Sequence, residues 1–260
     1  MATDKRARKR EARAEREAAL RRRRNTRLAV LAGLIALLVG LAIFAGRDDG
    51  GDGEPVADAT EAPGGVACGG ESPPPADPQQ YDAPERVLEE GVDYGAVIST
   101  SCGDITIDLY EDDYPTTVNN FVFLASEGFY DGLTFHRIVS NFVIQGGDPE
   151  GTGRGGPGYA IEDEFPAQGN IYRFGIVAMA NSGPGTTGSQ FFIVTHLSPD
   201  GSRDPAGLDP AYSLVGEVDR ASWDVIREIN GQETLGGNDP NTADRPVVPV
   251  YINSVEITTS

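Results

Sequence analysis

The 260-residue chain is acidic, yet its first 27 residues carry twelve Lys or Arg against four acids, while the remainder carries nine Arg against 36 acids. Because an acidic body repels phosphates, a nucleic-acid-binding domain is excluded from residues 28–260. Two Cys and two His are too few for a zinc framework or a disulfide-dense scaffold, and 33 Gly with 18 Pro favour a loop-rich β protein.

The N-terminus predicts a membrane anchor. Residues 28–46 are nineteen consecutive uncharged residues between Arg27 and Arg47, and a helix of that length spans about 28 Å. Basic residues precede this segment and acids follow it, so the positive-inside rule places the N-terminus in the cytoplasm. We expect a single-pass protein of the cell membrane with an extracytoplasmic body. A cleaved signal peptide and a buried core helix are the alternatives.

Two segments flank the predicted membrane helix. Residues 1–27 predict a basic cytoplasmic helix lying against anionic lipid headgroups, with a nucleic-acid-binding arm as the alternative. Residues 47–86 are rich in Gly, Pro and Asp and poor in large apolar groups. Such a stretch cannot bury enough surface to offset its ordering, which predicts a disordered or polyproline spacer. Cys68 near its end and Cys102 would both lie outside the membrane, where disulfides persist, so we predict a bond between them.

The body, residues 87–260, begins with period-two alternation in which Ile105, Ile107 and Leu109 are separated by polar residues. Such alternation predicts strands with one buried face. Short strands at close spacing, with two helices, predict a mainly β domain built as a closed antiparallel barrel. The predicted strands are 97–100, 105–109, 134–139, 142–145, 176–180, 191–195, 212–218 and 250–257.

Two helices are predicted. The first covers 115–127, because Pro115 suits a first helical turn and apolar residues then recur at helical spacing before Gly128. The second covers 222–229 with Ser222 as its N-cap. Its inward-facing residues are predicted to be Trp223, Ile226 and Ile229.

Covalent and metal chemistry find little support in the sequence. There is no Gly-x-Ser-x-Gly nucleophile elbow, and His136 and His196 lack metal-ligand spacing. We interpret His136 as a polar side chain packed beside a strand and His196 as a solvated loop residue. The glycines between 146 and 158 lack the Lys-Ser/Thr ending of a phosphate loop, which favours a mobile loop.

Two longer motifs are more specific. One reads FHRIV at 135–139 followed by FVIQGGD at 142–148, and the other reads MANSGP at 179–184 followed by GSQFFI at 188–193. In these motifs the sequence resembles the cyclophilin family of peptidyl-prolyl cis–trans isomerases over roughly residues 93–258. The resemblance implies an eight-stranded antiparallel barrel capped by two helices. It also implies rotation about X-Pro bonds without a nucleophile, metal or cofactor.

The resemblance also implies roles for individual residues. Arg137 would donate to the prolyl nitrogen as the amide twists, and Gln145 would bind the carbonyl side of the substrate. Ala180 and Asn181 would hold the substrate backbone through main-chain groups, with Asn181 counted among the catalytic residues. Gln190 would support Arg137 or the substrate. The residues implied to surround the proline ring are Phe142, Val143, Phe192, Leu208 and Tyr212.

The sequence departs from the family pattern at three residues and in the loop 196–207, which is longer than usual and rich in Asp, Pro and Gly. Val143 stands where the family often has Met, Gly207 stands where many members have Trp, and Tyr212 replaces a common His. The expected partners are proline-containing peptides and unfolded or exported proteins, bound by a monomer, with no nucleic acid. A module that captures proline segments without turnover, or an adhesion domain on a stalk, is the alternative.

Overall fold

A computed structural model of the protein describes residues 65–77, 79–167, 171–198, 200–239 and 242–260. These residues all belong to one compact unit, Thr60–Ser260. The predicted basic segment 1–27, the predicted membrane helix 28–46 and the first part of the predicted spacer lie outside them. No helix within the described ranges is long and apolar enough to cross a membrane.

The described residues form a mainly β fold, with eight antiparallel strands in one curled sheet and two α-helices. Their order across the sheet is β3-β4-β6-β5-β7-β2-β1-β8. The strands are β1 Tyr94–Thr100, β2 Gly103–Leu109, β3 Arg137–Val139, β4 Val143–Gly146, β5 Ile176–Met179, β6 Phe191–Val194, β7 Leu214–Val218 and β8 Ile252–Thr259. The helices are α1 Pro115–Ser126 and α2 Trp223–Asn230.

Strand burial follows the sequence pattern. In β2 the apolar residues Ile105, Ile107 and Leu109 are buried, while the residues between them are exposed. Strands β5 and β6, at the centre of the sheet, are buried at every position, which is typical of strands covered on both faces. The strand 134–139 was predicted too long: the ladder begins at Arg137, and Thr134 forms only an isolated bridge to Tyr251.

The predicted closed barrel is only partly seen. No ladder joins the outer strands β3 and β8 within the residues that the structure describes. Instead, residues 133–135, which precede β3, are hydrogen-bonded to residues 250–252 at the start of β8. Phe135 N donates to Val250 O at 2.9 Å, and Ile252 N donates to Leu133 O at 2.8 Å.

The two helices begin as predicted but end at slightly different residues. Helix α1 has Pro115 in its first turn and buries Val118, Phe121 and Val122. Ser222 occupies the N-cap position of α2, but its side chain makes no capping bond. Its Oγ accepts from Thr106 N at 3.0 Å instead, because the helix start lies against β2. Ser222 is therefore the N-cap residue, as predicted, although its hydroxyl does not cap the helix.

The predicted disordered spacer 47–86 is wrong for its described C-terminal part, which packs on the body. Cys68 forms a disulfide with Cys102, and Ala67 N donates to Pro249 O at 3.0 Å. Further along, the rings of Tyr81 and Phe123 meet edge to face at 5.1 Å. One covalent bond and a buried aromatic contact supply the ordering that composition alone did not predict.

Candidate active site

One row of side chains crosses the sheet at the middle of β4. Arg137 on β3 lies directly opposite Gln145 on β4, and Gln145 lies directly opposite Phe192 on β6. Phe192 in turn lies opposite Ala178 on β5. Residues paired directly across strands share one face of a sheet. The register therefore puts the Arg137 guanidinium, the Gln145 amide and the Phe192 ring on the same face.

Hydrogen bonds link the polar members of this face into a chain. Arg137 Nη1 donates to Gln145 Oε1 at 3.4 Å, and Gln145 Nε2 donates to Gln190 Oε1 at 2.9 Å. Gln190 Nε2 donates to Gly155 O at 2.9 Å. At the other end, Arg137 Nε donates to Asp244 Oδ2 at 3.1 Å. The chain orients the guanidinium from two sides, while its side chain stays 40 % exposed.

The residues implied to bind the proline ring form one apolar cluster, separate from the main core. Val143 and Phe192 are 3 % and 5 % exposed and belong to its buried part. The rings of Phe192 and Tyr212 meet edge to face with centroids 5.3 Å apart. The partly buried residues packed against it include Phe142, Ala180, Leu208 and Tyr212. The six side chains therefore lie together, next to the hydrogen-bonded side chains of Arg137, Gln145 and Gln190.

Ala180 and Asn181 line a cavity of about 640 Å³ together with Gln145 and Gln190. The Ala180 N–H already donates to Gln190 O at 2.8 Å, so a substrate cannot accept from it. The Asn181 side chain donates to Ala211 O at 2.8 Å and accepts from Gly183 N at 3.1 Å. The expectation that both residues hold substrate through main-chain groups is therefore wrong for the Ala180 N–H. The Asn181 side chain holds the neighbouring loops.

His136 is buried beside β3, in agreement with the interpretation from sequence. Burial lowers the pKa of its ring; the negative charge of Asp148 opposes this shift, and the positive charges of Arg137 and Arg245 add to it. The ring is therefore neutral at pH 7. In the part of the chain that the structure describes, no group of His, Cys, Asp and Glu is placed to hold a metal ion.

Two residues of this region were not found by sequence reasoning. Asp244 contacts Arg137 across 107 residues of sequence, and nothing distinguishes it locally from the other acids of the body. Gln80 lines the cavity of about 640 Å³ described above, and its Nε2 donates to Gly156 O at 2.9 Å. Gln80 was missed because its segment was predicted to be a disordered spacer.

Known proteins share this sequence and fold. The sequence model of the family described as cyclophilin type peptidyl-prolyl cis-trans isomerase/CLD matches residues 96–257. Peptidyl-prolyl cis-trans isomerase A of Mycobacterium tuberculosis is 42% identical over 178 residues, which cover 62% of this chain and 91% of that protein. A peptidyl-prolyl cis-trans isomerase of Arabidopsis thaliana is 40% identical over 166 residues, which cover 63% of this chain and 93% of that protein.

The solved structures point the same way. A cyclophilin type peptidyl-prolyl cis-trans isomerase of Cryptosporidium parvum superposes with a TM-score of 0.55 and 28% identity, covering 65% of this chain and 99% of that chain. A second structure, of the same protein in the presence of the dipeptide Ala-Pro, superposes with a TM-score of 0.51 and 29% identity, covering 64% and 99%. The family match spans more than half of the chain. The chain therefore belongs to the cyclophilin-type peptidyl-prolyl cis-trans isomerases.

Proposed function

We propose that Arg137, Gln145 and the apolar cluster around Phe192 form the catalytic site of this isomerase. The single observation that carries the assignment is the strand register. It places the Arg137 cation and the Phe192 ring on one face of the sheet, with Gln145 between them. A proline segment of an unfolded or exported protein is the substrate class. The dipeptide Ala-Pro, present in a related solved structure, supports this choice.

The chemistry needs no bond to be made or broken. Rotation about a peptide bond meets a barrier of ~18–20 kcal/mol, because the nitrogen lone pair is delocalised into the carbonyl. Uncatalysed exchange at X-Pro bonds takes tens to hundreds of seconds. A turnover of about a thousand per second would require the barrier to fall by ~7 kcal/mol. The site must therefore bind the twisted amide more tightly than the planar one.

Arg137 stabilises that twisted state. As the prolyl nitrogen becomes pyramidal, its lone pair becomes a hydrogen-bond acceptor, and a permanently charged guanidinium is a strong donor to it. Asp244 holds Nε and Gln145 accepts from Nη1, so the guanidinium keeps its orientation through the reaction. A donor held in place before the reaction costs no reorganisation during it.

The apolar cluster binds the proline ring of the substrate while the X-Pro bond rotates. Phe142, Val143, Phe192 and Leu208 offer an apolar surface, and Tyr212 closes on Phe192 at one side. Burying the proline ring against this surface is favourable in free energy. The planar and twisted amides expose similar apolar areas, so this burial stabilises both states about equally. The cluster therefore contributes binding and position, and Arg137 contributes the difference between the two states.

The test is the isomerisation rate of full-length protein, purified in detergent, on a peptide containing a cis X-Pro bond. Arg137→Ala should lower kcat/KM by about 100-fold, the effect of removing one preorganised donor. The circular dichroism spectrum should stay unchanged, because the Arg137 side chain is 40 % exposed. A folded Arg137→Ala protein with wild-type kcat/KM would overturn the assignment. Binding of the peptide without acceleration by the wild type would favour the capture module.

We further propose that residues 28–46 anchor the enzyme in the cell membrane with residues 87–260 outside. Nineteen uncharged residues with basic residues before them and acids after them support this topology. Protease added to intact cells should then degrade the body. Complete protection, under conditions that digest a known surface protein, would reverse the orientation.

We also propose that the eight strands close into a barrel through residues 133–135, which precede β3, and residues 250–252 at the start of β8. The two backbone hydrogen bonds between 133–135 and 250–252 support closure at this point. Amide hydrogen exchange at Phe135 and Ile252 measures it: both amides should be protected as strongly as those in β1. Exchange as fast as in an exposed loop would contradict closure.

A further inference from the structure

A second cavity lies beside the row formed by Arg137, Gln145 and Phe192, which we call the catalytic row. Several of the residues that line this cavity are positively charged. It has a volume of about 260 Å³, and its lining includes Arg137, Arg154 and Arg245. These are three of only nine arginines in residues 28–260, which contain no Lys and 36 acids. Asp244 is the one acid that lines the cavity among the described residues. An acidic domain therefore concentrates a third of its cations around one small space.

Two of these cations make no ion pair within the described part of the chain. Arg173 and Arg203 both pair with Glu217, Arg227 pairs with Asp224, and Arg137 pairs with Asp244. Arg245 donates only to a carbonyl, Gly151 O, at 2.8 Å. The Arg154 side chain is exposed and contacts no acid by the same criterion. The cavity thus holds two guanidinium groups whose charge the fold does not neutralise.

His136 is a further lining residue of this cavity and lacks a polar partner in the part of the chain that the structure describes. It is only 8 % exposed, both of its ring nitrogens are buried, and neither has a hydrogen-bond partner among the described residues. Buried polar groups are nearly always paired, so an unpaired imidazole indicates a missing partner. A neutral imidazole can donate one hydrogen bond.

The nearby carboxylate of Asp148 is committed elsewhere. Its Oδ1 accepts from Glu150 N at 2.8 Å, and its Oδ2 accepts from Thr152 N at 2.9 Å and Arg154 N at 3.1 Å. Gly153 N donates to the same oxygen. Asp148 therefore shapes the loop 150–154 through hydrogen bonds from the loop amides.

We propose that this cavity binds the carboxylate of an acidic side chain located near the proline being isomerised, so that the enzyme prefers acidic proline segments. The inference rests on the isomerase function, because the cavity shares Arg137 and Gln145 with the catalytic row. Arg154 and Arg245 hold the carboxylate by charge. Elsewhere the acidic surface repels such a substrate, which directs its carboxylate to this cavity.

Matched peptides test the proposal. Each pair contains one X-Pro bond and carries Glu or Gln at the same position, and the pairs place that residue in turn one, two or three residues before or after the proline. At low salt the wild type should convert the Glu member of at least one pair with a kcat/KM about fivefold higher, as expected for an exposed ion pair. The preference should fall as NaCl is raised, because salt screens exposed charges.

Arg154→Gln is the decisive variant. Among the described residues, Arg154 contributes only its backbone N–H to the hydrogen bonds of the loop, and its side chain forms no ion pair. The substitution should remove most of the preference and leave kcat/KM for the Gln peptides unchanged. Arg245→Gln should do the same while also losing the bond to Gly151 O. The matched control is Arg86→Gln, an exposed arginine outside the cavity, which should keep the full preference.

The outcomes separate this inference from the isomerase function. Equal kcat/KM for both members of every pair would overturn the acidic preference and leave the isomerase intact. A preference that survives both Arg154→Gln and Arg245→Gln would also overturn it, because the charge would then be read elsewhere. Failure of the wild type to accelerate any Gln peptide would contradict the isomerase function itself.

Discussion

Asp244 Oδ2 accepts a hydrogen bond from Arg137 Nε at 3.1 Å, although 107 residues separate the two in the sequence. The backbone holds the pair together as well, because Ile138 N donates to Asp244 O at 2.7 Å. The carboxylate has two opposing effects. It orients the guanidinium, and its negative charge weakens the field that the guanidinium presents to a substrate nitrogen.

Two substitutions of Asp244 separate orientation from charge. Asp244→Ala removes the acceptor, so Arg137 loses one of its two fixed contacts and kcat should fall about fivefold with little change in KM, which corresponds to about 1 kcal/mol. Asp244→Asn keeps an oxygen acceptor and removes the charge, so kcat should stay within about twofold of wild type. The backbone bond to Ile138 N survives in both. A wild-type kcat for Asp244→Ala would show that orientation from this side is unnecessary.

Gln145 links Arg137 to Gln190, so its amide matters more than its size. Gln145→Met has nearly the same shape but breaks both side-chain hydrogen bonds, and we expect kcat/KM to fall about tenfold, or about 1.4 kcal/mol. Gln79→Met, at an exposed glutamine outside the site, is the control and should retain wild-type activity. Steady-state kinetics on one X-Pro peptide compare the three proteins. The interpretation fails if Gln145→Met matches the control.

The Cys68–Cys102 disulfide should stabilise the fold more than it affects catalysis. The two cysteines are 34 residues apart, and the chain-entropy model assigns a loop of this size about 3–4 kcal/mol. Reduction should therefore lower Tm by about 10 °C in a domain of this size. The activity of the reduced protein at 25 °C should stay within about twofold of the oxidised one, because neither cysteine touches the catalytic row.

A double variant controls the reduction experiment. Cys68→Ser combined with Cys102→Ser should show the lower Tm without reductant and no further change when reductant is added. Scanning calorimetry with and without reductant measures both proteins. An identical Tm for oxidised and reduced wild type would mean that the bond contributes no net stability.

We predict that Glu217 contributes to the free energy of unfolding and that this contribution is lost at acidic pH. Burial by itself would raise the pKa of this carboxyl, but the hydrogen bond and charge of Arg203, together with the charge of Arg173, hold it below its ordinary value of 4.5. A depressed folded-state pKa stabilises the protein above the unfolded-state pKa. This stabilisation is lost as the pH falls from about 4.5 through the lower folded value.

Urea unfolding as a function of pH measures this effect. Glu217→Gln cannot titrate, so its free energy of unfolding should lie below that of the wild type at pH 7. The two curves should converge as the pH falls below 4.5, because the wild type then loses its charged carboxylate. Curves that remain parallel between pH 7 and pH 3 would contradict the role given to Glu217. Urea is required since guanidinium salt would screen the ion pairs.

Local pattern was enough to predict most of the elements. Alternation in β2 and helical spacing after Pro115 reflect side-chain directions that are set within a few residues. The family resemblance of the motifs at 135–148 and 179–193 implied site roles for Arg137, Gln145 and Phe192. The cysteine pair was also predicted, since only two cysteines exist to be paired.

Contacts between distant segments depended on the tertiary structure. Composition predicted a disordered spacer up to residue 86, but Tyr81 packs against Phe123 and the disulfide joins Cys68 to β-hairpin residue Cys102. Likewise, Ser222 stands at a helix N-terminus, yet its hydroxyl accepts from Thr106 on a neighbouring strand. In each case the competing partner lies far along the chain, where no local pattern reports it.

The sequence by itself therefore determined which residues could carry the chemistry, while the tertiary structure decided which of them meet. Strand register aligns Arg137, Gln145 and Phe192 on one face, and folding brings Asp244, Arg154 and Arg245 around the adjoining cavity. Periodicity reports the direction of a side chain relative to its own strand or helix. Register and loop closure bring distant side chains together, and these arise only when the whole chain packs.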